Sequence, residues 1–181
     1  MKSITEAIKS FFKQEGIKFE QVGRDSIFKL GFAGDSGSFL GYVNIDEEQR
    51  ALYIRTLAPV RVPPTKRPQV AELLLRVNQY LLLGGFDLNM DSGLIAYKTS
   101  IILGKGNLHD DIIEHLLFAN WWAIDKYFPA INMVIFGNIS PKPAIEKVKG
   151  RRGPAPDSSD DTDPGEFFHG RLGNILGGSL N

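Results

Sequence analysis

Chemistry in this chain would have to come from a small set of side chains, and their spacing argues against most of it. Asp87-Leu88-Asn89-Met90-Asp91-Ser92-Gly93 opens with oxygen ligands at alternate positions, as a calcium-binding loop does. Such a loop requires glycine at its sixth place and glutamate at its twelfth. Ser92 and Lys98 stand there, and a lysine supplies no bidentate carboxylate. A hairpin turn with its polar residues facing water accounts for the segment. His109 and His115 lie six apart, a rotation of about 240° on a helix, so they face different ways and make no zinc pair. Asp111 and His115 have i, i+4 spacing, which a surface ion pair explains. No serine sits in a G-x-S-x-G turn. Gly104-Lys105-Gly106 lacks the spacing of a phosphate-binding loop. The pattern implies no catalytic residue, no cofactor and no metal.

Charge and composition narrow the partners. Twenty-one basic and 21 acidic residues give a formal net charge of zero, which argues against bulk binding to nucleic acid or an anionic membrane. Arg24, Lys29, Arg50 and Arg55 tint the strand segments basic, but no aromatics interleave with them as in a single-strand binder. Arg61, Lys66 and Arg67 cluster around the start of a predicted helix, where they would receive an acidic partner or brace a solvated, proline-rich loop. There are no cysteines, which excludes disulfides and thiolate chemistry and suits a reducing cytoplasm. The amphipathic N-terminus lacks the apolar core and cleavage site of a signal peptide, and no window approaches the ~20 apolar residues of a membrane span. A soluble, cytoplasmic protein is expected.

The elements that must position these residues can be read from periodicity. Ser3 and Glu6 have capping-box spacing, and Ile4, Ala7, Ile8, Phe11 and Phe12 recur with helical period, so a helix runs from about Ile4 to Glu15. Short alternating segments follow at Phe19 to Val22, Ser26 to Ala33, Phe39 to Ile45 and Ala51 to Leu57, separated by turn residues: an antiparallel meander. Pro59, Pro63 and Pro64 are expected to end it. A second helix, capped by Thr65, runs to about Leu83 and stops at Gly84-Gly85. A hairpin pairs Phe86 to Met90 with Leu94 to Ile102. Asn107 is placed to cap a third helix from Leu108 to about Phe128, broken by Pro129, and short helical turns follow to Lys149. The expected fold class is α+β, a twisted antiparallel sheet with packed helices in the order α-β-β-β-(β)-α-β-β-α. Residues 1–146 form one domain; 147–181, rich in Pro, Gly, Ser and Asp, read as a disordered linker and tail.

The second helix carries the strongest signal. Val70, Leu73, Leu74, Val77 and Leu81 make one stripe, while Leu75 and Leu82 project elsewhere and Tyr80 widens the apolar girth. Such a helix is either sandwiched between sheet and third helix or buried against a second copy of the chain. Trp121 and Trp122 are 100° apart on the third helix, so one joins the core and the other reaches a flank, an interface or a pocket. In the tail, Phe167, Phe168, Leu172, Ile175 and Leu176 form a candidate docking element beyond an acidic spacer.

VPPTKRPQVAELLLRVN, LLLGGFDLNMDSGLIAYKTSI and LLFANWWAIDKYFPAINMVIFG, together with the order of elements, resemble the YbjN-like family, described as bacterial sensory transduction regulators. The resemblance covers roughly residues 1–146. It implies a fold similar to type III secretion chaperones, commonly dimeric, and supplies no functional residue to carry over. Two functions follow as expectations. One is a non-enzymatic, dimeric regulator, adaptor or chaperone-like protein that binds an unidentified protein partner through Leu75, Tyr80, Leu82, the basic cluster or a tryptophan. The other is a small-ligand sensor with an apolar pocket near the tryptophans.

Overall fold

In the computed structural model, which describes residues 3–23 and 26–149, an amphipathic helix comes first because both its ends are specified locally. Helix α1 (Ile4–Gln14) starts where the Ser3 hydroxyl accepts from the Glu6 amide at 3.4 Å and stops just before Gly16, at φ 66°. Ile4, Ile8, Phe11 and Phe12 form its buried stripe. Four strands follow: β1 (Phe19–Val22), β2 (Ile27–Ala33), β3 (Ser38–Asp46) and β4 (Ala51–Arg61). Then come α2 (Arg67–Asn78), β5 (Gly85–Leu88), β6 (Leu94–Ile102), α3 (Asp110–Ile135) and α4 (Pro141–Lys149).

The strands make one antiparallel sheet in the order β1-β2-β3-β4-β6-β5. Period-2 alternation sends Phe28, Leu30, Phe32, Phe39, Val43, Leu52, Ile54, Ile95 and Tyr97 to one face, where α1 and α3 cover them. An aromatic chain threads this core: Phe39 stacks on Phe32, and Phe32 on Trp121 at 4.8 Å. At the crossing of α3 over the sheet, the Asn120 amide donates to the carbonyls of Ile54 and Tyr97 and to the Thr99 hydroxyl, at 3.2–3.3 Å. Thr99 in turn donates to the Leu116 carbonyl at 3.1 Å. These bonds fix the register of helix on sheet in a place where an unpaired polar group would be costly.

Four expectations need correction. Strand β4 does not end at Leu57. It runs through Pro59 to Arg61 because its pairing with β6 shifts between Leu57 and Arg61, and a bulge tolerates a residue with no N–H. Helix α2 does not reach Leu83. The Asn78 side chain accepts from the Phe86 amide at 2.8 Å and donates to the Phe86 carbonyl at 3.1 Å, tying the helix end to β5. Nor does Thr65 cap α2: it lies in a single 3-10 turn, Pro64–Lys66, and Lys66 at the N-cap position makes no side-chain cap bond. Helix α3 begins after His109 rather than Asn107 and continues unbroken past Pro129. The proline removes one hydrogen bond, to the Asp125 carbonyl, but Phe128, Ala130, Ile131 and Val134 are buried on both sides of it, and that packing holds the helix together.

Candidate interaction surfaces

The polar residues at these spacings are engaged within the chain. Asn89 Oδ1 accepts from the amides of Asp91 and Ser92 at 3.0 and 2.8 Å, closing the loop that resembled a calcium site. Gly93, at φ 71°, lets that loop close on Val62, whose carbonyl would lie 2.3 Å from a Cβ there. Arg67 donates to the carbonyls of Val62 (3.2 Å) and Met90 (2.8 Å), Arg61 to that of Ser92 (3.4 Å), and Lys66 to the Asn138 side chain. The basic cluster therefore braces the β4–α2 connection against the β5–β6 hairpin and the end of α3. His115 Nδ1 donates to the Asp111 carbonyl. Among the described residues no group of three metal-ligating side chains comes together.

The two tryptophans divide as their 100° separation requires. Trp121 is 1% exposed and fills the core, so it presents no surface to a partner. Trp122 is partly buried at the flank of α3, with the Lys126 ammonium 4.6 Å from its ring centroid, and burial lowers the pKa of that lysine. A shallow cavity of about 570 Å³ lies on the other face of the sheet, lined by Gly31, Leu40, Leu57, Pro59, Val60 and Leu94 among others, and neither tryptophan touches it. The walls of this cavity are therefore strand residues rather than Trp121 or Trp122.

What the structure does expose is a set of large apolar side chains in the last turn of α2 and just beyond it. The inner stripe, Val70, Leu73, Leu74 and Val77, is buried against α3, α4 and β5. Leu75 is 68% exposed, Tyr80 66% and Leu82 fully exposed, with Leu83 beside them at the edge. This is not a loose loop. Asn78 anchors one side of the turn, Leu81 packs on the core, and the Tyr97 hydroxyl donates to the Leu83 carbonyl. Gly84, at φ 82°, sits so close to β6 that a Cβ would lie 2.2 Å from the Lys98 carbonyl. With Leu81 packed inward and the main chain of Leu83 held by Tyr97, the Leu82 side chain is left pointing out. Exposed Ile102 and Phe136 lie at the end of β6 and just past α3, away from this cluster in sequence. The tail residues Phe167, Phe168, Leu172, Ile175 and Leu176 lie outside the described residues.

Two sequence positions that were not singled out also act at a distance. The Asp125 carboxylate accepts from the amides of Asp35 (3.0 Å) and Ser36 (2.7 Å), fastening the β2–β3 turn to α3. Glu47 does the same for the start of α1. Their partners are more than 40 residues away, so only a turn needing an acceptor hinted at them.

A sheet of this order, with helices on one face and no metal or nucleophile constellation among the described residues, leaves comparison with known proteins to place the chain. Residues 5–133, more than half of its length, match the family model YbjN, "Putative bacterial sensory transduction regulator". The chain belongs to the YbjN family. A solved structure described as "Crystal structure of YbjN, a putative transcription regulator from E. coli" superposes with a TM-score of 0.50 at 13% identity, covering 74% of this chain and 89% of that one. At that identity the likeness shows the fold alone. No curated protein sequence matches. No described helix is long and apolar enough to cross a membrane.

Proposed function

We propose that this YbjN-family protein is a non-enzymatic cytoplasmic regulator that works by self-association through the face formed by Leu75, Tyr80 and Leu82. One observation carries the reading: a rigidly pinned turn holds large apolar side chains in water, where a monomer gains nothing from them. The family's description as a regulator supports a binding role over a catalytic one. A two-fold contact would present the same patch from each subunit. Burying Leu75 and Leu82 fully would contribute roughly 1.5–3 kcal/mol each. With both copies contributing the pair, four side chains supply roughly 6–12 kcal/mol, of the same order as the estimates of about 4–15 kcal/mol for bringing two proteins together. The dimer is therefore reversible rather than obligate, as a regulator requires.

Light scattering on the full chain tests this. As concentration rises from micromolar toward millimolar, the mass should approach twice 20.1 kDa. Leu75→Glu combined with Leu82→Glu should hold it at one copy without lowering the melting temperature, because both side chains are exposed in the lone chain. Unfolding of that variant, or a dimer indifferent to it, contradicts the reading.

A further inference from the structure

We propose that the C-terminal segment Phe167–Leu176 seats itself in cis on the same α2 face, competing with the second copy; this rests on the self-association reading above. The chain leaves the described residues at Lys149, the last residue of α4, which packs beside α2. The Lys149 ammonium sits 5.4 Å from the centroid of the Tyr80 ring, so the tail begins about one lysine side chain from the exposed face.

Residues 150–166 contain no large apolar side chain, and Phe167, Phe168, Leu172, Ile175 and Leu176 then follow within ten residues. Those 17 intervening residues span at most roughly 60 Å when extended, far more than the gap requires. A short tether holds its end at an effective concentration of about a millimolar, a thousandfold advantage over a second copy present at micromolar concentration. Charge favours the same path. Residues 153–166 carry Asp157, Asp160, Asp161, Asp163 and Glu166 with no base, and they are joined to α4, whose exposed Lys142 and Lys147 have no ion pair among the described residues. The closed form hides the face; release of the tail opens it to a second copy.

The chain has no cysteine, which makes cross-linking clean. Gln79 is exposed beside the face, so Gln79→Cys with Gly170→Cys in the full chain should form, under mild oxidation, a disulfide within one copy. It should form at least tenfold faster than in a chain pairing Gly170→Cys with Lys18→Cys, next to β1 at the opposite edge of the sheet. Adding Phe167→Glu and Phe168→Glu should abolish that preference and shift dimerisation to lower concentration. Equal rates for the two cysteine pairs, or cross-links only between copies, overturn the proposal. If the tail variant stays monomeric at every concentration while the cross-link forms, the self-association reading fails and the tail's seat stands. If dimers form at unchanged strength and the preference is absent, the tail proposal alone falls.

Discussion

Glu47, on the turn between β3 and β4, holds the first turn of α1 from 43 residues away. Its carboxylate accepts from the Ser3 hydroxyl at 2.7 Å and from the amides of Thr5 and Ile4 at 2.8 and 3.2 Å. Partial burial works to raise its pKa, but the donors of Thr5, Ser3 and Ile4 outweigh burial and hold the group at about 2, below the ordinary 4.5. The native state therefore prefers the ionised form. The resulting stability is complete above about pH 4.5 and is lost as pH falls toward 2. Glu47→Ala should lower stability by about 1 kcal/mol at pH 7, the usual loss of a helix cap, and by almost nothing at pH 2. Denaturant melts at the two pH values measure the difference; an equal loss at both would contradict the assignment. The local half of this cap, Ser3 with Glu6, was legible because capping has a three-residue spacing. The Glu47 half was not, because nothing in the sequence records which turn folds back over a helix start.

At the scale of elements, the turn from Gln79 to Gly84 decides which side chains reach solvent. Tyr97 is its pin: its hydroxyl is buried on the Leu83 carbonyl, and burial pushes its pKa up. A raised pKa means the folded state prefers the neutral phenol. That contribution is present below about pH 10 and is lost as pH climbs beyond it, at up to about 1.4 kcal/mol per pH unit for one proton. Tyr97→Phe should flatten the alkaline limb of the stability curve, lower stability by about 1 kcal/mol at neutral pH, and weaken self-association by loosening Leu82. An unchanged alkaline limb would show that Tyr97 is not the group responsible. Sequence periodicity gave the stripe Val70, Leu73, Leu74 and Val77 and marked Leu75 and Leu82 as facing away. It ran the helix too far because Asn78 ends it through a partner on β5. It also broke α3 too early, because a proline's penalty is visible in a sequence while the packing that outweighs it is not.

For the whole molecule, the α+β order and the alternation of the sheet were readable because each strand buries only one face. The sequence left the surroundings of α2 open between a sandwich and an interface; the inner stripe is enclosed by α3, α4 and β5, while Leu75, Tyr80 and Leu82 stand exposed in the lone chain. The basic cluster was found by composition, but its acceptors are the carbonyls of Ser92, Met90 and Val62 and the side chain of Asn138, most of them far away in sequence, which no local pattern of side chains reveals. Hydroxyl-radical footprinting of the full chain measures directly whether the exposed face is covered in solution. Tyr80 and Leu82 should be oxidised far more slowly than their exposure in the lone chain implies, relative to the exposed Phe136 and Ile102 as internal standards. Oxidation of Leu82 as fast as Ile102 at every protein concentration would contradict the account.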